Sequence, residues 1–202
     1  KGEVDRSRPK AEVLKPWPAL MAERQEEMDQ AVSMLREAAD QGLRAAQAYC
    51  GDIYAFGRGV AKDDRLAFVY NEKAAQQGHL VAQFNTGVYY RDGRGCDQSY
   101  ERAADWFQKA AVQGDAVGQH SLGRAYEHGR GVPQSDEKAF ELYSQSAAQG
   151  YPYGQHSLAR CYEKGRGCKQ SYERAVELYK QSATQGDMYA QYNLAVSATC
   201  LM

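Results

Sequence analysis

The sequence predicts an all-α chain in which one helix pair is repeated along its length. Three observations predict it. Gly42, Gly78, Gly114, Gly150 and Gly186 stand 36 residues apart, and Gln47, Gln83, Gln119, Gln155 and Gln191 keep the same interval. Alanine occurs 30 times and isoleucine once, a composition suited to closely packed helices and not to sheets. Within each unit the apolar and small residues recur at helical spacing, and a fixed period of this length is the mark of a stacked array.

Residues 1–17 lie outside the period. Pro9, Pro16 and Pro18 interrupt any helix there, and Lys1, Arg6, Arg8, Lys10 and Lys15 mix with Glu3, Asp5 and Glu12, so the segment reads as an extended arm. Trp17 is placed to dock on the first helix. That helix is expected from Pro18 or Ala19 to about Asp40, and residues 18–42 form a half repeat in which Ala31 to Gly42 matches the second helix of later units. Full repeats follow at 43–78, 79–114, 115–150 and 151–186, and residues 187–202 form a closing half repeat.

Each full repeat opens with a helix A, for example Ala116 to His128, whose Leu122, Gly123 and Tyr126 are echoed by Leu158, Ala159 and Tyr162. A Gly-Arg-Gly step permits the tight exit from this helix. Asp63, Ser99, Ser135 or Ser171 then offers an N-cap with an acidic residue in the first turn. Helix B, about 13 residues long, carries an inner face of Ala103, Trp106, Phe107 and Ala110 in one unit and Ala175, Leu178, Tyr179 and Ser182 in another, with its closing glycine as C-cap. Gly87, Gly123, Ala159 and Ala195 let helix A approach its neighbours. One such pair cannot bury its apolar face alone, so stacking makes the core.

The string from Gly118 to Val132, Gly-Gln-His-Ser-Leu-Gly-Arg-Ala-Tyr-Glu-His-Gly-Arg-Gly-Val, together with the later Ala-x-x-x-Tyr-x-x-Ala-Ala-x-x-Gly, resembles the Sel-1-like repeat of the tetratricopeptide superfamily. The resemblance covers residues 31–202. It implies a right-handed α-solenoid that works as an adaptor or scaffold subunit in protein assemblies, with no cofactor.

Charge and motifs narrow the function. With 25 basic against 26 acidic residues, the chain lacks the basic excess that phosphate-backbone binding needs, so nucleic acid is not expected as a partner. No apolar run is long enough to span a membrane. The chain begins at Lys1, which leaves room for an upstream targeting segment. The Gly-x-Gly steps follow helices and not strands, which separates them from phosphate-binding loops. Arg58, Arg94, Arg130 and Arg166 at their centres are expected as a solvated ladder with Asp63, Glu101, Glu137 and Glu173 as counter-charges. His120-Ser121 and His156-Ser157 lie inside helices without a nucleophile elbow, and four histidines without paired spacing give no metal motif. No catalytic role and no metal are therefore expected.

Cys50, Cys161 and Cys200 fall in helix A, and Cys96 and Cys168 in the turn after it. A cysteine-rich branch of the resembled family, penicillin-binding with weak β-lactamase activity, staples each helix pair by a disulfide, and this sequence departs from it. Free thiols and a reducing compartment, cytosol or organelle matrix, are expected, with Cys161 and Cys168 the one plausible pair. A weak hydrolase or peptidoglycan-fragment binder of that branch is the alternative function.

The resemblance also implies that helix A lines a concave, partner-binding side. Its positions turned away from the packing face hold Phe84, Asn85, His120, Arg124, Tyr153, His156, Arg160, Tyr189, Tyr192 and Asn193. Arg124 and Arg160 are expected either to bind an acidic group of a partner segment or to pair with Glu127 and Glu163 three residues on. Leu194, Ala198 and Leu201, on a helix A with no helix B after it, are expected as an end contact with another chain or a second copy.

Overall fold

The computed structural model describes residues 17–200, with side chains from 24 to 196. Among the described residues there are ten helices and no strand: α1 (Trp17–Asp40), α2 (Arg44–Phe56), α3 (Asp64–Gln76), α4 (Leu80–Asp92), α5 (Tyr100–Val112), α6 (Ala116–His128), α7 (Asp136–Ala148), α8 (Pro152–Lys164), α9 (Tyr172–Thr184) and α10 (Met188–Cys200). Even-numbered helices are helices A, and odd-numbered ones from α3 onward are helices B. The chain is an all-α solenoid. The arm expected N-terminal to Trp17 lies outside the described residues, as do Leu201 and the side chains of Trp17 and Ala198.

Pairing is antiparallel within each hairpin: Gly51 of α2 faces Asn71 of α3, while Tyr54, three residues on, stacks against Tyr70 with ring centroids 5.9 Å apart. Each helix then packs on the next along the chain, and α2 and α6 also touch α4 and α8, the helices A of the following units. The caps explain the common length of 13 residues for α2 to α10. Asp63 accepts from the amides of Arg65 and Leu66, and Ser99, Ser135 and Ser171 accept from those of Arg102, Lys138 and Arg174, which satisfies donors that a helix start leaves bare. At the other end the structure corrects the sequence reading. Helix B is capped by Gln77, Gln113, Gln149 or Gln185, and the glycine of the 36-residue interval follows one residue later.

Size complementarity sets the distance within a hairpin. A methyl group at Gly87 would meet the Phe107 ring at 2.6 Å, and one at Gly123 would meet the Tyr143 ring at 2.7 Å. The missing side chain of helix A is the socket for the ring of helix B.

The periodic glutamines tie helix A to the end of helix B within a unit and link that unit to the one before. Gln77 donates to Gln47 Oε1 at 2.7 Å, Gln113 to Gln83 at 2.6 Å, Gln149 to Gln119 at 2.7 Å and Gln185 to Gln155 at 2.9 Å. The buried partner passes the bond on, Gln47 donating to the Ala39 carbonyl at 3.0 Å and Gln83 to that of Ala75 at 3.3 Å. An amide supplies both a donor and an acceptor, so one residue type satisfies both sides of a buried link. Gln155 departs from the pattern and donates to Gln181 at 3.4 Å.

In the three later turns the second glycine sits closest of all. A Cβ on Gly95, Gly131 or Gly167 would run into the backbone carbonyl of Asp64, Tyr100 or Asp136, at the start of the preceding helix B. These glycines also hold left-handed backbone, φ 74° at Gly131. Gly114 has φ 88°, and a methyl group added there would have nothing within 4 Å, so the two sites separate strain from contact. Gly114→Ala is expected to cost about 1–2 kcal/mol through its dihedral alone. Gly131→Ala should cost about 1–3 kcal/mol more. Thermal unfolding of the two variants measures the difference, and equal melting temperatures would show that the contact yields freely.

Candidate partner-binding groove

A groove of about 380 Å³ crosses α6, α8 and the start of α10. Six residues expected on this face line it, His120, Arg124, Tyr153, His156, Arg160 and Tyr189, and Glu127, His128 and Ser157 complete it. The 36-residue register places His120 and Arg124 of one unit beside His156 and Arg160 of the next. Tyr153 and Tyr189 stand open, 47% and 69% exposed.

The histidines are structural. His120 Nε2 and Ser157 Oγ share a hydrogen bond of 3.2 Å between α6 and α8, and the His120 ring lies against Tyr143, Tyr151 and Tyr153. Burial, with the charge of Arg124 beside it, pushes its pKa down to about 4. One unit on, Asn193 Nδ2 donates to His156 Nε2 at 3.0 Å, and His156 lies against Tyr179 and Tyr189. Its pKa is lowered too, by burial, although Asp187 pulls in the other direction.

The arginines divide. Arg160 does not pair with Glu163 three residues on: its Nη2 lies 3.7 Å from Oε1 of Glu127 in the preceding unit, and Arg166 Nη1 donates to that same oxygen at 3.1 Å. Tyr143 Oη donates to the other oxygen at 2.7 Å, while the equivalent Tyr179 donates to Glu163 at 3.1 Å. Glu127 is only 10% exposed. Burial raises its pKa, but the Tyr143 bond and the charges of Arg160, His128 and Arg166 outweigh burial and leave the carboxyl below its usual range. Arg124 has no carboxylate within 4 Å among the described residues.

Other expected residues stand differently. Phe84 is half-buried against Phe107, with centroids 5.8 Å apart, and Asn85 donates to Asn71 at 3.3 Å, so both serve the packing of α3, α4 and α5. Tyr192 is 69% exposed but lies outside the groove. Leu194 is half-buried, one side packed on the cluster of Ala159, Ala175, Tyr179 and Ala190. The turn arginines also find other partners than expected: Arg94 pairs with Asp64 at 2.7 Å, while Arg58 and Arg130 lie over the rings of Phe56 and Tyr100. Glu101 and Glu137 instead accept from their own cap serines at 3.0 Å. Reading for neighbours within a few residues assigned Glu127 to Arg124 and missed its partners Arg160 and Arg166. Its signal is the constant offset between units, because these ion pairs reach back by nearly a whole repeat.

Cys50, Cys96, Cys161 and Cys168 are free thiols, and burial pushes Cys161 up to about 12. Among the described residues no cluster of His, Cys, Asp or Glu is arranged to hold a metal ion, and no helix is long and apolar enough to cross a membrane.

The Sel1 repeat family model matches residues 24–43, 44–79, 80–115, 116–151 and 152–187. Among solved structures, the chain is similar to a protective antigen of uropathogenic Escherichia coli with an SLR fold, at 36% identity and a TM-score of 0.77, over 81% of this chain and 35% of that one. The chain thus spans about a third of that protein's length. It is similar to a Sel1 repeat protein from Oxalobacter formigenes at 32% identity and a TM-score of 0.75, over 88% of this chain and 72% of that one. Cysteine-rich protein B of Helicobacter pylori shares the fold, at 22% identity and a TM-score of 0.53, over 66% of this chain and 96% of that one. No curated protein matches the chain.

The lowered pKa of His120 makes stability depend on pH. An unfolded histidine titrates near 6.5, the folded one near 4, so between those values the unfolded chain binds more protons and acid favours it. Its contribution is complete above about pH 6.5 and is lost as pH falls toward 4, by about 3 kcal/mol. His120→Phe, which installs the residue found at the equivalent position 84, should flatten that part of the profile. Melting temperatures from pH 7.5 to 4.5 check it, and parallel profiles for both proteins would contradict it.

Proposed function

The chain belongs to the Sel1 repeat family, and we propose that it is a non-catalytic adaptor or scaffold subunit that holds a segment of a partner protein in the helix-A groove. Sel1 repeat proteins generally mediate protein–protein interaction. The observation that carries the specific reading is the pair of open tyrosines, Tyr153 and Tyr189, at equivalent positions of successive units on a groove already shaped by a fixed His120–Ser157 and His156–Asn193 framework. Rigid aromatic area on a preorganised scaffold gives contact energy at little entropic cost.

The residues of this groove take separate roles in the proposal. Tyr153 and Tyr189 supply contact area. Arg124 supplies the available charge, and Arg160, held by Glu127, keeps α6 and α8 in register. Phe84 and Asn85 act from beneath, through the packing of α4.

Replacing both tyrosines by alanine tests the reading. Because Tyr153 is about half exposed and Tyr189 more so, the Tyr153→Ala, Tyr189→Ala variant should melt within about 1 kcal/mol of the parent. It should hold its partner about tenfold or more weakly. Affinity purification under mild conditions, followed by titration of the recovered partner, measures the loss. Equal affinity for both proteins would move the binding surface elsewhere.

A further inference from the structure

The turn arginines meet the preceding repeat at three equivalent junctions, and at two of them a carboxylate receives the charge. Arg94 donates to Asp64, 30 residues back, at 2.7 Å. Arg166 donates to Glu127, 39 residues back, at 3.1 Å, and Arg160 approaches the same oxygen from 33 residues on at 3.7 Å. The middle junction keeps the arginines and lacks both carboxylates. Thirty residues before Arg130 stands Tyr100 in place of aspartate, and Arg91 occupies the position that Glu127 holds one repeat later.

Arg91, Arg124 and Arg130 consequently line one cavity of about 270 Å³ between α4, α5 and α6, with Tyr100, Phe107 and Ser121 in its walls. Asp92 also lines it, but both its oxygens are taken by Arg91, at 2.7 and 2.8 Å. Among the described residues no carboxylate lies within 4 Å of Arg124 or Arg130. Three guanidinium groups against one engaged carboxylate leave the cavity with an excess of two positive charges.

We propose that this cavity receives a carboxylate side chain of an acidic partner segment, in the place that Glu127 fills in the next junction. The proposal rests on the groove reading and extends it: Arg124 and His128 line both cavities, so a segment lying in the groove reaches this one. Guanidinium forks match a carboxylate bidentately, and the aromatic walls shield the contact from solvent. A carboxylate is favoured over a phosphate because the repeat accommodates a glutamate at the equivalent position with two arginines converging on a single oxygen.

The test uses the full chain and two fluorescein-labelled peptides, octaglutamate and octaglutamine, followed by fluorescence anisotropy at low ionic strength, where partly exposed charges are least screened. Octaglutamate should bind and octaglutamine should not. Arg91→Glu installs the missing carboxylate and should weaken octaglutamate binding about tenfold or more. Its melting temperature should match or exceed that of the parent. Arg58→Glu makes the same charge change in the first repeat and should leave affinity within about twofold. Should Arg91→Glu fail to fold, Arg130→Gln makes the same comparison with an expected loss of about fivefold or more. Equal affinities for the Arg58 and the folded Arg91 or Arg130 variants overturn the proposal, as does absence of octaglutamate binding. Displacement of the peptide by inorganic phosphate at concentrations where acetate is inert overturns the carboxylate assignment. If the tyrosine variant still loses its partner while Arg91→Glu binds octaglutamate normally, this inference falls and the groove stands.

Discussion

At Gly95, Gly131 and Gly167 the turn of one repeat lies against the bare backbone at the start of the preceding helix B, with no space for a side chain. That contact fixes how each unit sits on the last, and the remaining links follow from its constancy. Within each hairpin a donor meets an acceptor 30 residues earlier again and again, glutamine to glutamine, Ser146 to the Ala116 carbonyl at 2.7 Å and Ser182 to the Pro152 carbonyl at 2.8 Å, and between units Arg94 reaches Asp64 over the same interval. A looser seat would let the units rotate, and the bonds that cross between units, Gln47 to the Ala39 carbonyl, Gln83 to that of Ala75 and Arg94 to Asp64, would not keep their geometry.

With geometry held constant, chemistry varies only through the residue that fills each position. Position equivalents of Glu127 are Arg91 and Glu163, and their surroundings differ accordingly. Glu127 joins two repeats through Arg160 and Arg166, Glu163 keeps its tyrosine bond, and Arg91 turns to its neighbour Asp92. Repetition supplies a set of equivalent sites, and substitution makes one of them basic. The histidines show the same economy, since His120 and His156 hold the position that Phe84 fills with a plain ring.

The fold was legible in the sequence because its determinants are local or strictly periodic. Ala116 to His128 is a helix to the residue, the serine caps stand where their spacing placed them, and the small residues at 87 and 123 receive the rings of Phe107 and Tyr143. Polar partners were less legible. Glu101 and Glu137 lie close in sequence to turn arginines but serve their own helix starts, whereas the true counter-charges lie a repeat away. Of the ten candidate site residues, His120, Arg124, Tyr153, His156, Arg160 and Tyr189 share a groove, because α8 follows α6 closely enough for His120 to reach Ser157. Phe84 and Asn85, at equivalent positions, are drawn into packing by Phe107 and Asn71. A position's outward direction does not say how large the residue opposite it is.

The core itself is not uniform along the array. From Ala39 to Ala125 the buried apolar residues form one continuous cluster, whereas Ala139 to Cys161 and Ala159 to Ala190 form two separate ones. The change comes where Ala74 and Ala110 give way to Ser146 and Ser182, whose hydroxyls bond to the Ala116 and Pro152 carbonyls of their own hairpins. Apolar surface resists separation over its whole area, while a hydrogen bond exchanges readily with water. The array thus changes character along its length, with one continuous apolar core in the leading repeats and smaller clusters beside polar bonds in the trailing ones. The groove spans α6, α8 and α10, so the surface assigned to partner binding is carried by the part of the array whose core is divided, while the leading repeats that share one core stand behind it as its foundation.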